Sequence, residues 1–409
     1  MEERLSKIRT ALIIGAGVVG IASAYALARR GIAVTVLDAM PGPAMGASFG
    51  NGRQLSYGYT DALASADLLR KIPRLALGRD PAFRIYPAFD LASIRWKLQF
   101  LANCTERKFR KNSLASLQLA RKSRNAMAAL LQRHEIEFGH RTAGKMLLFG
   151  NAQSFARGCE IMNMKVSNQE RQMALSPDVA REIEPALNAA GSTFAGVIYA
   201  PTEETGNAAV FSENLADILH REYGTSFRYD ARVCKIATDS ESARVILDSG
   251  EELTADLAIV CSGAAAGKLL RKTKVNTPIY PMKGYSFIAP ATAASPEVSI
   301  TDVARKLVFT RIGDEMLIAG LADLGDDSSI VRPDRMADLI ASARASLPEA
   351  ADYDATRNHW SGLRPMTPNS LPVIARPSAT LAINAGHGML GWTLAMGSGE
   401  QLAELICES

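Results

Sequence analysis

The sequence of 409 residues has few cysteines, no long apolar run and little net charge. Its five cysteines are scattered, odd in number and without C-x-x-C spacing, which argues against a disulfide framework or a zinc site and predicts reduced thiols. No stretch approaches the roughly 18 apolar residues of a membrane-spanning helix, and the apolar run at residues 11–14 is too short for a signal segment. These absences predict a cytoplasmic protein.

Basic and acidic residues almost balance, with 46 Lys and Arg against 42 Asp and Glu and a net charge of +4. No nucleic-acid-binding motif accompanies this charge, so we expect no nucleic-acid partner. The basic run at residues 107–110, which follows residues 96–101, has two interpretations: a helix that touches lipid, or a solvated helix face. The solvated face is favoured, and peripheral membrane association stays open.

The most informative segment is ALIIGAGVVGIASAYALARRGIAVTVLD at residues 11–38, where a strand, a glycine turn, a helix and a second strand lead to an acid. The G-x-G-x-x-G turn lets the backbone approach a pyrophosphate, and the start of the helix points its amide groups at the phosphates. Asp38 is suitably spaced to accept from ribose hydroxyls. The residues expected to hold the phosphates are Gly15, Gly17, Val18, Val19 and Gly20.

Two downstream segments favour FAD over a nicotinamide cofactor. LAIVCSG at residues 257–263 is a second apolar strand that ends in a glycine, as an extended dinucleotide requires. NAGHGMLGWT at residues 384–393 lets the backbone lie flat against a ring, and a helix begins there whose positive end suits the charge of a reduced isoalloxazine. The candidate flavin contacts in these segments are Gly263, Gly386, His387, Gly388, Gly391, Trp392 and Thr393.

Through these segments the chain resembles the bacterial FAD-dependent D-amino-acid dehydrogenases of small-subunit type, within the D-amino-acid oxidase and glycine oxidase superfamily. The resemblance also includes ASFGNGRQLSYGY at residues 47–59, APTEETGN at 200–207, YPMKGYS at 280–286 and WSGLRPMTPNSLPVI at 360–374. The segment at residues 60–82 departs from the family pattern, in which this stretch is longer and richer in Pro and Trp. The family's preference among substrate side chains therefore cannot be transferred to this sequence.

The resemblance implies non-covalent FAD and oxidative deamination of a D-amino acid by hydride transfer from the α carbon to flavin N5. Hydrolysis of the imino acid gives a 2-oxo acid and ammonia, and electrons pass to a quinone or other acceptor at the inner face of the cytoplasmic membrane. Two alternatives stay open. One is oxidation of a cyclic or N-substituted amine of the D-hydroxyproline, glycine, sarcosine or opine type, and the other is a role as the FAD-carrying subunit of a larger complex. An oligomer is also left open.

Arg364 is the candidate anchor for the substrate carboxylate, because a guanidinium holds both oxygens in a planar fork. Lys283 and Tyr285 alternate on the predicted strand PMKGYSFI and so share a face. If this is the inner face, one can touch the flavin and the other the substrate, whereas the alternation by itself is equally compatible with a face toward solvent. Tyr59 and Gln54 are further candidates for the substrate pocket. The loop residues Ser48, Asn51 and Gly52 are expected at the FAD, and Val233 resembles the backbone site for adenine. His387 is expected to contribute its backbone to the flavin wall instead of acting as a base.

The order of predicted elements indicates an α/β fold with two interleaved domains. A Rossmann-type FAD-binding domain is expected to comprise residues 1–62, 206–275 and 359–409. A smaller substrate domain of antiparallel sheet and helices is expected at residues 63–205 and 276–358. Good helix formers with apolar spacing near 3.6 predict helices around residues 94–103 and 113–134. Further helices are expected around residues 177–182, 205–218 and 333–345.

Overall fold

The helices of the protein are distributed along the whole chain. The structure is a computed structural model that describes residues 8–76, 78, 80–87, 90–165, 172–273, 275 and 277–408. In these residues the helices are α1 (Val18–Ala28), α2 (Ala66–Ala76), α3 (Leu91–Asn103), α4 (Glu106–Arg133), α5 (Ala152–Lys165), α6 (Pro177–Ile183), α7 (Ala208–Tyr223), α8 (Ala266–Leu270), α9 (Pro333–Ser346) and α10 (Gly391–Cys407).

The strands fall into two large sheets and two small ones. In the described residues they are β1 (Thr10–Ile14), β2 (Ala33–Leu37), β3 (Gln54–Leu55), β4 (Phe83–Ile85), β5 (Lys145–Phe149), β6 (Met173–Leu175), β7 (Gly196–Ala200), β8 (Glu204–Thr205), β9 (Ser226–Arg228), β10 (Val233–Thr238), β11 (Ala243–Leu247), β12 (Glu252–Ala255), β13 (Leu257–Val260), β14 (Tyr280–Pro290), β15 (Ser299–Asp302), β16 (Leu307–Ile312), β17 (Glu315–Leu324), β18 (Arg357–Met366), β19 (Val373–Ser378) and β20 (Leu381–Ala385).

The first large sheet unites the beginning, the middle and the end of the chain. Its strand order is β19-β20-β13-β1-β2-β9. β1 pairs in parallel with β2 and β13, and β13 pairs in parallel with β20. Strands covered on both faces read as continuous apolar runs, and Ile13, Val36 and Ile259 are accordingly buried. The predicted Rossmann-type arrangement, assembled from separate chain segments, is therefore present.

Helices α1, α4, α7 and α10 form the core on one face of this sheet. Ile21, Leu119, Phe211 and Leu402 represent the four helices in one buried cluster. Gly399 allows α1 and α10 to approach closely, because a Cβ there would lie 2.7 Å from the carbonyl oxygen of Ala22. Where the same two helices reach the surface, Glu400 pairs with both Arg29 and Arg30.

The second large sheet has nine strands, eight in the order β18-β14-β17-β16-β15-β5-β7-β6, with β4 joined to β17. Its pairs are antiparallel except β15 with β5 and β17 with β4. Helix α9 packs on this sheet, where Met336 and Leu339 join Phe287 and Phe309 in a second core. The predicted fold class, α/β with a second domain built on largely antiparallel strands and helices, is confirmed.

Two predicted domain boundaries do not coincide with the packing. Helix α4, predicted in the substrate domain, contributes to the core of the Rossmann-type sheet through residues such as Leu119 and Met127. Strand β18 pairs with β14 up to Met366, so the boundary before residue 359 falls inside a strand of the second sheet. The boundaries themselves stay a prediction. Within the described ranges no helix is both long enough and apolar enough to cross a membrane.

Candidate active site

A cavity of about 1270 Å³ lies between the two large sheets. On one side it is lined by Ile14, Leu37, Cys261 and Ala385, which lie at or just after the carboxyl ends of β1, β2, β13 and β20. On the other side it is lined by residues of β14, β16, β17 and β18. Ligands of parallel α/β sheets bind at this carboxyl edge, so the fold places the cavity where a dinucleotide belongs.

The glycine turn forms one end of the cavity. Gly15, Gly17, Val18 and Val19 line it, whereas Gly20 packs behind the turn. A Cβ on Gly20 would lie 1.8 Å from the carbonyl oxygen of Gly15, so only glycine allows this approach of helix and strand. The amide of Val18 donates to Ser48 Oγ at 3.1 Å, and no side chain of the N-cap residue caps α1. The start of the helix therefore lies at the cavity, with its first amide held by the Ser48 hydroxyl.

Asp38 lies at the end of β2 and also lines the cavity. Its carboxylate accepts from the amides of Ala16 at 2.6 Å and Met40 at 2.9 Å. These two bonds fix the carboxylate and leave lone pairs for further donors, as contact with ribose hydroxyls requires. Val233, at the start of β10, lines the same region.

The loop after β2 contributes Ser48, Asn51 and Gly52 to the lining. The loop is fastened to the second sheet because Ser286 donates to the carbonyl of Gly50 at 2.9 Å. Thr310 likewise donates to the carbonyl of Gly52 at 2.8 Å. Asn51 Nδ2 donates to the carbonyl of Ser48 at 3.1 Å, so this side chain stabilises the loop itself.

The turns after β13 and β20 form another part of the cavity wall on the side of the first sheet. The predicted residues Gly263, Gly386, His387, Gly388, Gly391, Trp392 and Thr393 all line the cavity. Burial lowers the pKa of His387 to about 3, and its Nε2 has no hydrogen-bond partner among the described residues. His387 is therefore a neutral imidazole with a buried polar atom at the cavity wall.

Two side chains of this wall connect α10 to neighbouring loops. Trp392 Nε1 donates to the carbonyl of Gly206 at 3.0 Å. Thr393 Oγ1 accepts from the amide of Ser56 at 3.1 Å. The first residues of α10, Gly391, Trp392 and Thr393, line the cavity.

Arg364 extends from β18 into the cavity lining. Its Nη1 donates to the carbonyl of Leu321 at 2.9 Å, and its Nη2 contacts the carbonyl of Gly320 at 3.5 Å. Burial lowers the pKa of Arg364 to about 10, while Asp323 acts in the opposite direction. In the described part of the chain no carboxylate pairs with this guanidinium. It stays charged at neutral pH and can accept a carboxylate from a ligand.

Tyr285 also lines the cavity, and its hydroxyl donates to Asp323 Oδ2 at 2.9 Å. Asp323 in turn pairs with Arg335 at 2.6 Å, and neither of these side chains is exposed. Burial raises the pKa of Tyr285, and the nearby Asp323 raises it further. The phenol is therefore neutral and fixed in orientation by a buried ion pair.

Lys283 shares a face with Tyr285, as predicted, since its Nζ lies 5.5 Å from the centre of the Tyr285 ring. It is not among the residues that line the cavity, however. Its amine binds Asp326 at 3.0 Å and also the hydroxyl of Ser328 and the carbonyl of Ile330. The expectation that Lys283 touches flavin or substrate is therefore corrected: a loop after β17 takes up its amine.

Gln54 and Tyr59 line the cavity together with Lys145, which no sequence pattern singled out. The Lys145 amine binds Gln54 Oε1 and donates to Ser56 Oγ at 2.8 Å, and it lies 4.7 Å from the Tyr59 ring centre. Burial lowers the pKa of Lys145 to about 7, although Glu203 opposes this shift. The sequence could not identify Lys145 as a site residue, because only the pairing of β5 with β7 and β15 brings it to the cavity.

These features fit FAD. The starts of α1 and α10 both line the cavity at the nucleotide-binding edge, where helix N-termini favour phosphate and other negative charge. The orphaned Nε2 of His387 needs a partner that the described residues do not supply. The fixed carboxylate of Asp38 lies one strand away from the glycine turn. Together they match a long ligand with phosphates at one end and a polar ring at the other.

A sequence model of the family described as FAD dependent oxidoreductase matches residues 10–405. Among curated relatives, D-amino acid dehydrogenase 2 of Ralstonia nicotianae is 36% identical over 405 residues, covering 96% of this chain and 95% of that protein. A D-amino acid dehydrogenase of Methylobacterium nodulans is 36% identical over 400 residues, covering 97% and 94%.

Solved structures share the fold at lower identity. Glycine oxidase from Bacillus cereus superposes with a TM-score of 0.73 at 21% identity, covering 98% of this chain and 95% of that one. L-alpha-glycerophosphate oxidase from Mycoplasma pneumoniae, solved with FAD bound, superposes with a TM-score of 0.75 at 13% identity, covering 97% and 94%.

Proposed function

Since the chain belongs to the FAD dependent oxidoreductase family, we propose that it oxidises D-amino acids to 2-oxo acids and ammonia. The observation that carries this proposal is Arg364, a half-buried guanidinium in the cavity wall without a carboxylate partner among the described residues. A partly desolvated charge without a counter-charge is unfavourable, so a site that keeps one is suited to an anionic ligand. The curated relatives at 36% identity support a D-amino acid as that ligand.

The substrate is held by its carboxylate in the fork of Arg364, whose other contacts are neutral backbone carbonyls. The Tyr285 hydroxyl donates its hydrogen bond to the buried Asp323, and the pairing of Met282 with Arg364 places Tyr285 on the opposite face of β14 from the guanidinium, so its proposed role is to hold this strand in place. When bound, FAD supplies the acceptor of the two electrons that leave the α carbon. The protein's own part is to orient the substrate, and no residue with the properties of a strong base is required.

The cofactor contacts of the proposal are those that line the nucleotide edge of the cavity. They are Gly15, Gly17, Val18, Val19, Asp38, Ser48, Asn51, Gly52, Val233, Gly263, Gly386, His387, Gly388, Gly391, Trp392 and Thr393. Gly20 acts behind them by allowing α1 to pack on the turn. The FAD-binding domain is assigned to the segments that build the first sheet, and the substrate domain to those that build the second.

The segment at residues 60–82 and the strand after it give the substrate side an apolar wall. Leu63, Leu68, Leu75 and Phe83 line the cavity there, together with Met282. Such a wall suits apolar side chains better than charged ones. The proposal therefore includes a preference for D-amino acids with aliphatic or aromatic side chains, and a quinone as electron acceptor at a membrane surface.

The decisive experiment is an anaerobic reduction screen of the purified holoenzyme against D- and L-amino acids. The flavin absorbance should bleach with apolar D-amino acids, more slowly with acidic or basic ones, and not with the L-forms. Faster bleaching by sarcosine, glycine or a cyclic D-imino acid would instead favour oxidation of N-substituted amines. A flavin that none of these substrates reduces without an added partner protein would favour the role of an FAD-carrying subunit.

A further inference from the structure

Helix α3 carries an apolar stripe on its outer face. Leu91, Ile94, Leu98 and Leu101 are 86%, 42%, 62% and 40% exposed. At about 100° per residue they fall within an arc of about 80°, on the side opposite the buried Ser93, Trp96 and Phe100. Single exposed leucines are ordinary, but four on one side of one helix form a contiguous apolar face.

Basic residues lie within this stripe and after it in the sequence. Residues 90–111 contain six Lys and Arg against two Asp and Glu. Arg95 lies on the exposed part of α3 itself, and Arg107 and Lys111 are exposed on the first turns of α4. An apolar helix face bordered by cations matches a surface that carries negative charge above an apolar layer, which is the structure of an anionic bilayer.

The buried face of the same helix forms part of the cavity wall. Trp96 Nε1 donates to the carbonyl of Met366 at 2.9 Å. Trp96 and Phe100 pack in one cluster with Met282 and Met366, both of which line the cavity. The apolar stripe and the cavity wall are thus separated by the thickness of one helix, about 10 Å.

We propose that the outer face of α3, with the cations of residues 95–111, docks this protein on an anionic lipid bilayer and brings the cavity to the membrane surface. A helix of 13 residues is too short to span a bilayer, so α3 lies in the plane of the interface. A lipid-soluble quinone then reaches the apolar wall of the cavity from the bilayer. The role of the quinone in this inference rests on the proposed function. Binding to the bilayer does not, because it is measured without turnover.

The test is flotation of the holoenzyme with phosphatidylglycerol-containing vesicles and with neutral phosphatidylcholine vesicles. The wild-type protein should float with the anionic vesicles, and Leu91→Gln/Leu98→Gln should lower the partition coefficient by about tenfold or more. Arg107→Gln/Lys111→Gln should weaken binding to anionic vesicles and reduce its salt dependence. Val179→Gln/Ile183→Gln is the matched control, since these α6 residues are 41% and 40% exposed and should leave flotation unchanged.

A second measurement separates this surface from the catalytic proposal. Reduction of a water-soluble dye by a D-amino acid should be the same in wild type and Leu91→Gln/Leu98→Gln, whereas reduction of a long-chain quinone in vesicles should fall. Flotation that the leucine variant does not change overturns the inference, as does a wild type that does not float. A concentration-dependent dimer that the same variant dissolves, without vesicle binding, would assign the face to a second copy of the chain. Loss of dye reduction with flotation intact would count against the proposed function alone.

Discussion

The guanidinium of Arg364 lies directly against the Cα of Gly284 on the neighbouring strand. A Cβ at Gly284 would come within 2.3 Å of Arg364 Nη2 and 2.4 Å of its Cζ. The two residues lie on β14 and β18, where Gly284 pairs with Gly362 and Met282 with Arg364. Gly284 therefore provides the surface across which the guanidinium reaches the carbonyls of β17.

Gly284→Ala should displace the Arg364 side chain, because the new methyl group occupies the place of Nη2. We expect KM for the amino acid to rise about tenfold or more with flavin content unchanged, since a charge-assisted contact is worth about 1.5–3 kcal/mol. Steady-state kinetics with a soluble acceptor and the flavin-to-protein ratio check this. Gly150→Ala is the matched control, because Gly150, like Gly284, has no positive φ and its Cβ would meet only Ala304 at 3.9 Å. A Gly284→Ala enzyme with wild-type KM would show that Arg364 does not hold the substrate.

Arg364→Ala removes the proposed carboxylate anchor itself. KM should rise by about 100-fold or more, because a buried contact between charged groups is worth about 2–4 kcal/mol. Arg364→Lys keeps the charge but loses the fork, so it should restore only part of the affinity. FAD should stay bound in both variants, as its proposed contacts lie on other elements. If KM were unchanged in the alanine variant, the carboxylate would have to bind elsewhere.

The sequence alone predicted the parts of the site that depend on local chemistry. The glycine turn, Asp38 and the strand before Gly263 were recognisable because each combines an apolar run with a residue of special backbone or charge. The family and its FAD dependence, inferred from such segments, are confirmed. Helix α9, expected at residues 333–345, forms at Pro333–Ser346 because a proline starts it and apolar spacing continues it.

The start of helix α4 and the contacts between distant parts of the chain were not predicted. Helix α4 begins at Glu106, after the capping Thr105, whereas the expected helix began at residue 113. The first turns, ERKFRKN, carry too few apolar residues to reveal helical spacing. Asp323 and Arg335 lie 12 residues apart on β17 and α9, and only tertiary packing makes them a pair. The sequence correctly placed Lys283 on the same strand face as Tyr285. It could not show that a loop after β17 would bind the Lys283 amine, because that contact depends on tertiary packing.

Removing one partner of the buried ion pair between Asp323 and Arg335 should destabilise the second domain, because the other charge then stays buried without it. Asp323→Asn leaves the guanidinium buried without its 2.6 Å partner, so the free energy of unfolding should fall by about 3–5 kcal/mol. Asp338→Asn is a matched control, because it removes another carboxylate from the same Arg335 at 3.1 Å, where the aspartate is 38% exposed. That variant should lose about 1 kcal/mol or less. Denaturant unfolding of both holoenzymes checks the difference, and equal losses would contradict it.

Lys145 should make stability depend on pH in the alkaline range. Burial lowers its pKa from 10.5 to about 7, so between these values the folded protein holds a neutral amine while the unfolded chain binds a proton. Unfolding then takes up a proton, and the free energy of unfolding attributable to this group rises with pH across the window. Below about pH 7 both states are protonated and the unfavourable burial of the charge is fully present.

Lys145→Met removes this charge while filling a similar volume. The stability of the variant relative to wild type should therefore be greatest near pH 7 and decline as pH rises to 9, by about 1 kcal/mol per pH unit. The lost hydrogen bonds to Gln54 and Ser56 give an offset that changes little with pH. Denaturant titrations at pH 7, 8 and 9 measure the slope, and Lys235→Met on the exposed part of β10 is the control. A stability difference that does not vary with pH would mean that Lys145 stays protonated in the folded protein.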